Sequence, residues 1–444
     1  MEAKLKDIVA AYDPDIKLRK EQEQALLFLM KQKGDLLVNL PVGFGKSLIY
    51  HLLPQALATH RISPVVIVVS PLNIIHKDQM EDLKKHGISA CRLNICSKVE
   101  ETTDDEDMGS FELDSTGVDL DNVINGRYSV LLCHPEALLN TKKGYSLLID
   151  PAFKKNVVGV VIDECHIIEK WGDEFRTAFK RLGTLKVFFP DVPFVALSGT
   201  LTREQKITIP KHLCLVKHEI IETTPDRPNI FLEKKQKQSG IDVLSQYEQI
   251  IYQVCDELYK KRELYPVTLL FIPIFYMSEA LRYLNSIFGI QNIYSSIYSA
   301  LCTGQDNEVI DATINELKKE NPRIRLVLTT SISGMGFDPS NVTQVIHACP
   351  PRDLSQYFQE VGRAGRRGQR SHAVLYYNNQ DIARNLPGIH ENIINYCKNN
   401  SMCLRDQLLS TFGFTKDKTI TGCECCSCCI TQCQCTKCSE KDAI

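Results

Sequence analysis

Residues 37–50 read LVNLPVGFGKSLIY, and this stretch decides how the rest of the sequence is interpreted. An apolar run predicts a strand, a short loop with two glycines follows, and the next residues have helical periodicity. Gly43 and Gly45 have no Cβ atom, so the loop can turn its backbone amides toward a triphosphate. Lys46 would supply positive charge to the phosphates, and Ser47 would ligate Mg²⁺. The stretch therefore predicts a phosphate-binding loop.

A pair of acidic residues follows another apolar run in residues 157–166, VVGVVIDECH. At the end of a parallel strand, Asp163 would hold Mg²⁺ through water, and Glu164 would orient and deprotonate the attacking water. Each motif is weak alone, because strands often end in acidic residues and Leu40 occupies the first glycine position of GxxxxGK[ST]. Their order in one domain predicts an ATP site, and a plain βα turn is the alternative for the loop.

Outward from these motifs, short apolar runs alternate with polar helical stretches between Gly34 and about Phe231, and a second series follows to about residue 380. This rhythm predicts an α/β fold with two parallel-sheet lobes in tandem. The stretch 224–237 breaks both periodicities and contains two prolines, so we expect the lobe boundary there.

Composition excludes several classes of protein. The 444 residues include 54 acidic and 52 basic side chains, so any nucleic-acid site must be a local groove and a histone-like binder is excluded. Apolar runs are too short to span a bilayer, and the N-terminus has no signal-peptide pattern, which favours a nuclear or cytoplasmic, non-secreted protein without membrane contact. Residues 98–121 hold ten acidic residues and predict a solvated surface loop, with a docking role as the alternative.

Basic side chains concentrate in residues 357–370, YFQEVGRAGRRGQR. Arg363 and Arg366 are three residues apart and would share a face of a helix. Arginines of this kind can place positive charge on the γ-phosphate during phosphoryl transfer. A solvated basic surface or a patch for a nucleic-acid backbone is an equal alternative.

Eight of the 18 cysteines lie between Cys423 and Cys438. Clustering of this kind is typical of a thiolate metal site, whereas the disulfides of secreted domains spread through the chain. Three thiols in CxxCxxC spacing can bind one tetrahedral Zn²⁺ only with a fourth ligand from elsewhere. The three are Cys423, Cys426 and Cys429, and a register that uses Cys425 and Cys428 is the alternative. Two interpretations stay open for Cys433, Cys435 and Cys438: they bind a second metal ion, or they belong to a frayed C-terminal tail.

Ten segments in one order resemble the superfamily 2 helicases and, within them, the RecQ family of DNA helicases. They are LRKEQ, PVGFGKS, VVSPLNIIHKDQ, CHPEALL, DECH, WGDEF, ALSGT, DRPNI, TTSISGMGFD and QEVGRAGRRG. The resemblance implies RecA-like lobes over 1–225 and 226–382, a helical zinc-binding subdomain over 383–432, and a cysteine-rich tail over 433–444. It also implies use of ATP and Mg²⁺ for 3′–5′ movement on single-stranded DNA and separation of duplex DNA.

The same resemblance assigns individual residues. Gln22 should contact the adenine edge and Arg19 its ring, while Ser198 and Thr200 should couple hydrolysis to movement of the lobes. Arg366 should be the arginine finger. The remaining second-lobe residues expected at the nucleotide or DNA are Gly336, Asp338, Gln359 and Arg363. For zinc, the family pattern supplies the fourth ligand and gives the set Cys403, Cys423, Cys426 and Cys429.

Trp171 and Phe175 match the aromatic-rich loop of the family, in which aromatic rings stack on unpaired bases. On its own, a Trp at position 171 would more often be a core residue. Asp173 stands where the family usually has a histidine, which weakens the expected coupling. The alternatives to a helicase are therefore a translocase stimulated by single-stranded DNA, a catalytically weakened nucleic-acid scaffold, and an RNA helicase. The sequence identifies no protein partner.

Overall fold

The structure, a computed structural model, describes most of the chain in two compact units, Met1–Thr224 and Pro225–Ile444. The described residues are 1–58, 63–71, 73–97, 111–114, 118–170, 177–291, 296–302, 305–330, 339–420, 422–431 and 433. The four domain limits expected from the sequence stay predictions.

The first unit alternates strands and helices. Its strands are β1 Leu36–Asn39, β2 Val65–Val69, β3 Ala90–Ser97, β4 Phe111–Asp114, β5 Val130–Cys133, β6 Val157–Ile162, β7 Phe194–Ser198 and β8 Glu219–Glu222. Its helices are α1 Glu2–Tyr12, α2 Lys20–Met30, α3 Lys46–Leu57, α4 Asn73–Lys85, α5 Leu120–Ile124, α6 Pro135–Leu139, α7 Lys142–Ile149, α8 Pro151–Asn156, α9 Ile167–Lys170, α10 Thr177–Lys180, α11 Leu185–Phe188 and α12 Gln205–His212, with a 3₁₀ turn at Leu182–Thr184.

The strands of this unit form one sheet in the order β4-β3-β5-β2-β6-β7-β1-β8, in which all pairs are parallel except β3 with β4. Alternate residues of β2 enter two separate apolar clusters, Val66 and Val68 in one and Val65, Ile67 and Val69 in the other. Both faces of the sheet are therefore covered, which explains why its central strands are continuously apolar.

The second unit repeats the alternation. Its strands are β9 Ile230–Gln236, β10 Thr268–Phe271, β11 Tyr298–Leu301, β12 Leu326–Thr329, β13 Gln344–His347 and β14 Ser371–Tyr377. Its helices are α13 Val243–Lys261, α14 Ile274–Phe288, α15 Asn307–Lys318, α16 Leu354–Val361, α17 Glu391–Lys398, α18 Leu404–Phe412 and α19 Ser427–Ile430, with 3₁₀ turns at Arg262–Leu264 and Gly422–Glu424. The sheet is parallel in the order β11-β12-β10-β13-β14-β9. The predicted α/β class with two parallel-sheet lobes is confirmed.

Two strands lie in segments where the sequence predicted none. Within the expected acidic loop 98–121, β4 pairs antiparallel with β3 and buries Leu113, because alternating apolar residues in FELD give the strand one apolar side. The stretch expected as a lobe boundary contains β9, which pairs with β14 along its whole length and buries Ile230 and Leu232. Among the described residues, no helix has the length and apolar character that crossing a membrane requires.

A buried carboxylate holds the amino ends of the first sheet together. Asp35 is 2% exposed and precedes β1. It accepts hydrogen bonds from the backbone N–H groups of Phe194 at 2.8 Å and Val216 at 2.6 Å, and from Lys186 Nζ at 2.7 Å. One side chain thus joins the segments that lead into β1, β7 and β8.

We expect Asp35→Ala to lower the free energy of unfolding by about 3–5 kcal/mol, because it removes the carboxylate counter-ion of Lys186 and the acceptor of two backbone N–H groups. Urea unfolding of the full chain measures the effect. Asp191→Ala, at an exposed position nearby, is the control and should change stability by less than ~0.5 kcal/mol. Equal effects of the two substitutions would contradict the assigned role of Asp35.

Candidate functional site

The glycines of the phosphate loop adopt the backbone conformation that the sequence predicts for them. Gly43 and Gly45 have φ values of 80° and 82°, a region that favours glycine. A Cβ atom on Gly45 would lie 2.8 Å from Gln22 Nε2, so a side chain there would also collide. Gly45 is the N-cap of α3, whose first turn contains no acidic residue. The N-terminus of α3 therefore offers amides and a positive dipole end to an anion.

Lys46 and the loop are held by contacts inside the first unit. Lys46 Nζ donates a hydrogen bond to the carbonyl oxygen of Leu40 at 3.1 Å. Gly199 lies beside the same ammonium group, since a Cβ atom there would be 3.3 Å from Lys46 Nζ. The cation is thus placed between the loop and the end of β7, where phosphate oxygens would bind.

Gln22 and Arg19 contact the loop directly. The Gln22 side chain is 3% exposed; its Nε2 donates to the carbonyl oxygens of Phe44 at 3.1 Å and Gly45 at 2.9 Å. Its Oε1 accepts from the backbone N–H of Arg19 at 2.8 Å. The Arg19 guanidinium lies over the ring of Phe44, with Cζ 4.4 Å from the ring centroid. Phe44 was not expected at the site, although its position between two glycines of the loop is a signal in the sequence.

Strand register brings the acidic pair to the same edge of the sheet as the loop. Ile162, the last residue of β6, pairs with Val69 and with Ala196, and Asn39 at the end of β1 pairs with Ser198. Because parallel strands end together, the residues that follow β1, β6 and β7 share one edge. This is the edge at which ligands bind in open α/β sheets.

Asp163 and Glu164 occupy different environments at this edge. Burial, followed by repulsion from Glu164, raises the pKa of Asp163 to about 7, while Lys46 opposes the increase. The backbone N–H of Glu164 donates to Asp163 Oδ1 at 2.9 Å. Glu164 has a φ of 50°, an uncommon conformation for a residue with a side chain and one that is often found at functional sites.

A histidine and a hydroxyl group connect the acidic pair to β7. His166 Nδ1 lies 3.2 Å from Glu164 Oε2 and 3.1 Å from Ser198 Oγ. Ser198 Oγ in turn accepts from the backbone N–H of Thr200 at 3.3 Å. The structure therefore brings Ser198 and Thr200 to the acidic pair, with His166 between them. No role was expected for His166, although the DECH segment places it two residues after Glu164.

The second unit places the other predicted nucleotide residues on and after α16. His347 Nε2 at the end of β13 contacts Glu360 Oε2 of this helix at 2.8 Å, and both side chains are buried. Gln359 is half-buried on α16, and Arg363 follows the helix with 8% of its surface exposed. Burial and the neighbouring Arg227 lower the pKa of Arg366 to about 9. These residues form a positively charged, partly desolvated segment.

The described residues do not include four of the predicted site residues, which are Trp171, Phe175, Gly336 and Asp338. They also do not include Asp173, the position at which the sequence departs from the family pattern. Their roles stay predictions.

Four thiols near the C-terminus form the candidate metal centre. The sulfur atoms of Cys403, Cys425, Cys426 and Cys429 all lie within 4.8 Å of one another. Two of these distances are 3.5 Å, from Cys403 to Cys425, and 3.9 Å, from Cys426 to Cys403. Four sulfurs at ~2.3 Å from a tetrahedral Zn²⁺ are separated by about 3.8 Å, so the cluster fits this ion.

This cluster differs from the predicted set at one position, because Cys425 takes the place of Cys423. Cys425 and Cys426 are both buried, whereas Cys423 lies in a half-exposed 3₁₀ turn. Cys426 has an extended backbone, with φ −163° and ψ 167°, before α19 begins. The regular CxxCxxC spacing gave no indication of this local geometry, and the alternative register anticipated Cys425 but not the exclusion of Cys428.

A buried arginine fixes the chain around the thiols. Arg405 Nη1 donates to Asp226 Oδ1 at 2.6 Å, and Nη2 donates to the carbonyl oxygens of Ile230 and Cys425. The backbone N–H of Leu404 donates to Cys426 Sγ at 3.4 Å. Arg405 thereby ties the start of β9 to both cysteine-bearing segments.

Comparison with known families agrees with these features. The chain matches the family of DEAD/DEAH box helicases over residues 19–208 and the helicase conserved C-terminal domain over residues 231–368. The first match contains the phosphate loop and the acidic pair, and the second contains Arg363 and Arg366.

Individual relatives point to one kind of helicase. The chain is 28% identical to ATP-dependent DNA helicase Q1 of Mus musculus over 437 residues, 96% of this chain, and 29% identical to ATP-dependent DNA helicase RecQ of Haemophilus influenzae over 82% of this chain. It spans 62% and 52% of the lengths of these relatives. The helicase Lhr of Mycobacterium smegmatis, solved with single-stranded DNA and AMP-PNP, has a similar fold, with a TM-score of 0.58, 19% identity, and coverage of 85% of this chain and 48% of that chain.

We expect Asp163→Asn to raise the melting temperature at pH 8 by a few degrees. In the unfolded chain Asp163 ionises near its ordinary pKa of 3.8, whereas the folded chain keeps the proton up to about pH 7. Ionisation of this buried group therefore lowers stability as the pH rises from about 4 to about 7, and asparagine removes that cost.

Calorimetry without nucleotide at pH 5 and pH 8 measures the effect. The gain in melting temperature should be largest at pH 8 and should shrink at pH 5, where the folded wild-type carboxyl is protonated. An equal gain at both pH values would show that ionisation of Asp163 is not its cause.

Proposed function

Because the chain matches the DEAD/DEAH box and C-terminal helicase families and is similar to RecQ-type DNA helicases, we propose that it is a RecQ-type ATP-dependent 3′–5′ DNA helicase. In this proposal, ATP hydrolysis drives movement along single-stranded DNA and the separation of duplex DNA in the nucleus or cytoplasm. The observation that carries the proposal is the convergence of Lys46, Asp163, Glu164 and Ser198 at the carboxyl edge of the first sheet.

The first unit binds MgATP and prepares the attacking water. Amides of the phosphate loop and Lys46 would bind the β- and γ-phosphates, and Ser47 and Asp163 would hold Mg²⁺, whose charge would neutralise the phosphates. Asp163 would be ionised in this complex, because a bound cation favours the carboxylate and offsets the burial that raises its pKa. Glu164 orients the water and accepts its proton. His166 transmits the state of Glu164 to Ser198, since it contacts both side chains.

In this proposal, residues of the second unit have the roles that the family resemblance assigns to them. Arg366 stabilises the charge that develops on the γ-phosphate, and Arg363 and Gln359 act beside it. The lowered pKa of Arg366 reflects a partly desolvated position, in which a charge interacts more strongly with an anion than it does in water. Gly336 and Asp338 serve the nucleotide or DNA, and Trp171 and Phe175 stack on unpaired bases.

The four thiols hold a structural Zn²⁺. Cys403, Cys425, Cys426 and Cys429 fill all positions of a tetrahedral ion, so no open position is left for catalysis. The ion would stabilise the segment that Arg405 ties to β9.

We expect single-stranded DNA to stimulate ATP turnover by the wild-type protein, and Lys46→Ala to lower kcat by about 10²–10³-fold, because it removes a charge that stabilises the transition state. Steady-state ATPase assays with and without DNA measure both effects. Lys33→Ala, an exposed lysine at the opposite edge of the sheet, is the matched control and should retain wild-type turnover.

Replacing DNA with RNA in the ATPase assay decides between a DNA and an RNA helicase. A strand-separation assay on duplexes with a 3′ or a 5′ single-stranded tail decides the direction of movement. Turnover without DNA stimulation, or without loss in Lys46→Ala, would contradict a DNA-driven motor. Stimulation without strand separation would favour a translocase.

For the metal, we expect about one zinc per chain in the purified protein, with loss of zinc in Cys425→Ser and retention in Cys423→Ser. Serine offers no thiolate, and only Cys425 of this pair belongs to the cluster. Elemental analysis by mass spectrometry measures the ratio. Loss of zinc in Cys423→Ser with retention in Cys425→Ser would instead support the set predicted from the sequence.

A further inference from the structure

Phe44 occupies an unusual place in the phosphate loop. It is the one large side chain between Gly43 and Gly45, whose φ values are both near 80°. Its ring is only half-buried, packs at the border of an apolar cluster of the first unit, and supports the Arg19 guanidinium at 4.4 Å. The ring thus joins the loop to a cation at the start of α2.

Hydrogen bonds close a circuit through the same residues. Arg19 donates its backbone N–H to Gln22, and Gln22 donates its side-chain N–H groups to the carbonyl oxygens of Phe44 and Gly45. The Phe44 ring in turn contacts the Arg19 guanidinium. Three residues are therefore mutually fixed, and Gln22, which is 3% exposed, is the buried centre of the circuit.

We propose that Phe44 is a positioning residue for nucleobase binding, which holds the Arg19 guanidinium flat so that its other face stacks on the base of ATP. The inference deepens the proposed function and rests on it. The Arg19 Cζ atom lies 4.4 Å from the centroid of the Phe44 ring, and Arg19 is exposed, so the side of the guanidinium away from Phe44 is accessible to a second aromatic ring. A guanidinium stacked on an aromatic face gains about 0.5–2 kcal/mol, depending on its desolvation.

The geometry also links the base to the phosphates. A base stacked on Arg19 is connected to the phosphate loop through the Phe44 ring and the hydrogen bonds of Gln22. The amides of this loop are the groups that receive the phosphates. Arg19 and Phe44 should therefore contribute to ATP binding as one unit, and their substitutions should not be additive.

The test compares Phe44→Leu, which keeps apolar volume without an aromatic face, with Phe44→Tyr, which keeps the ring. We expect Phe44→Leu to raise KM for ATP about 3–10-fold with kcat close to wild type, and Phe44→Tyr to stay within about twofold. Arg19→Ala should raise KM similarly, and the double variant Arg19→Ala/Phe44→Leu should show no further increase.

Inorganic tripolyphosphate, which has no base, separates base binding from the shape of the loop. Its inhibition constant should be unchanged by Phe44→Leu. An equal loss for ATP and tripolyphosphate, additive losses in the double variant, or an unchanged KM in Phe44→Leu would each overturn the inference while ATP hydrolysis by the wild type still supports the proposed function. A wild-type protein that hydrolyses no ATP would contradict both.

Discussion

Parallel pairing of β2, β6, β7 and β1 is the constraint on which the candidate ATP site depends. Strands that run in the same direction and in register must end at the same edge, so the polar residues after each strand are collected there. Lys46 and Asp163 are far apart in sequence, and the parallel sheet brings both to the same edge. The apolar strands behind them are buried on both faces, and this rigid base holds a charged, partly buried site that is unfavourable by itself.

The second unit uses a buried cation for a comparable purpose. Arg405 satisfies carbonyl oxygens from β9 and from the cysteine segment, so two parts of the chain that are far apart in sequence are fixed together before any ion is considered. The buried pair of His347 and Glu360 similarly fixes α16 against β13. In both places a charged group inside the protein is matched by a specific partner, and the partner determines where the functional side chains lie.

Sequence patterns predicted the features that depend on local chemistry. The glycine loop, Lys46 and the DECH segment were recognisable because phosphate binding needs these residue types at these spacings. β4 and β9 were not expected, since FELD lies among many acidic residues and β9 follows two prolines. Cys425 replaced Cys423 in the candidate metal centre only once the structure was known, because the CxxCxxC spacing favours Cys423 and the burial that favours Cys425 cannot be read from that spacing. The role of Phe44 depends on a neighbour 25 residues away, which no local pattern reveals.

The placement of β9 also has a consequence for how the protein is made. This first strand of the second unit pairs with β14, and Ile230 lies beside Ser371, the first residue of the last strand. At ~5–20 residues per second, a ribosome would need on the order of ten seconds to produce the chain between them. During that interval β9 has no strand partner, and its unpaired edge is exposed to misassociation. Completion of this sheet is therefore a late event in biosynthesis, and the nascent chain would benefit from a chaperone until β14 has left the ribosome.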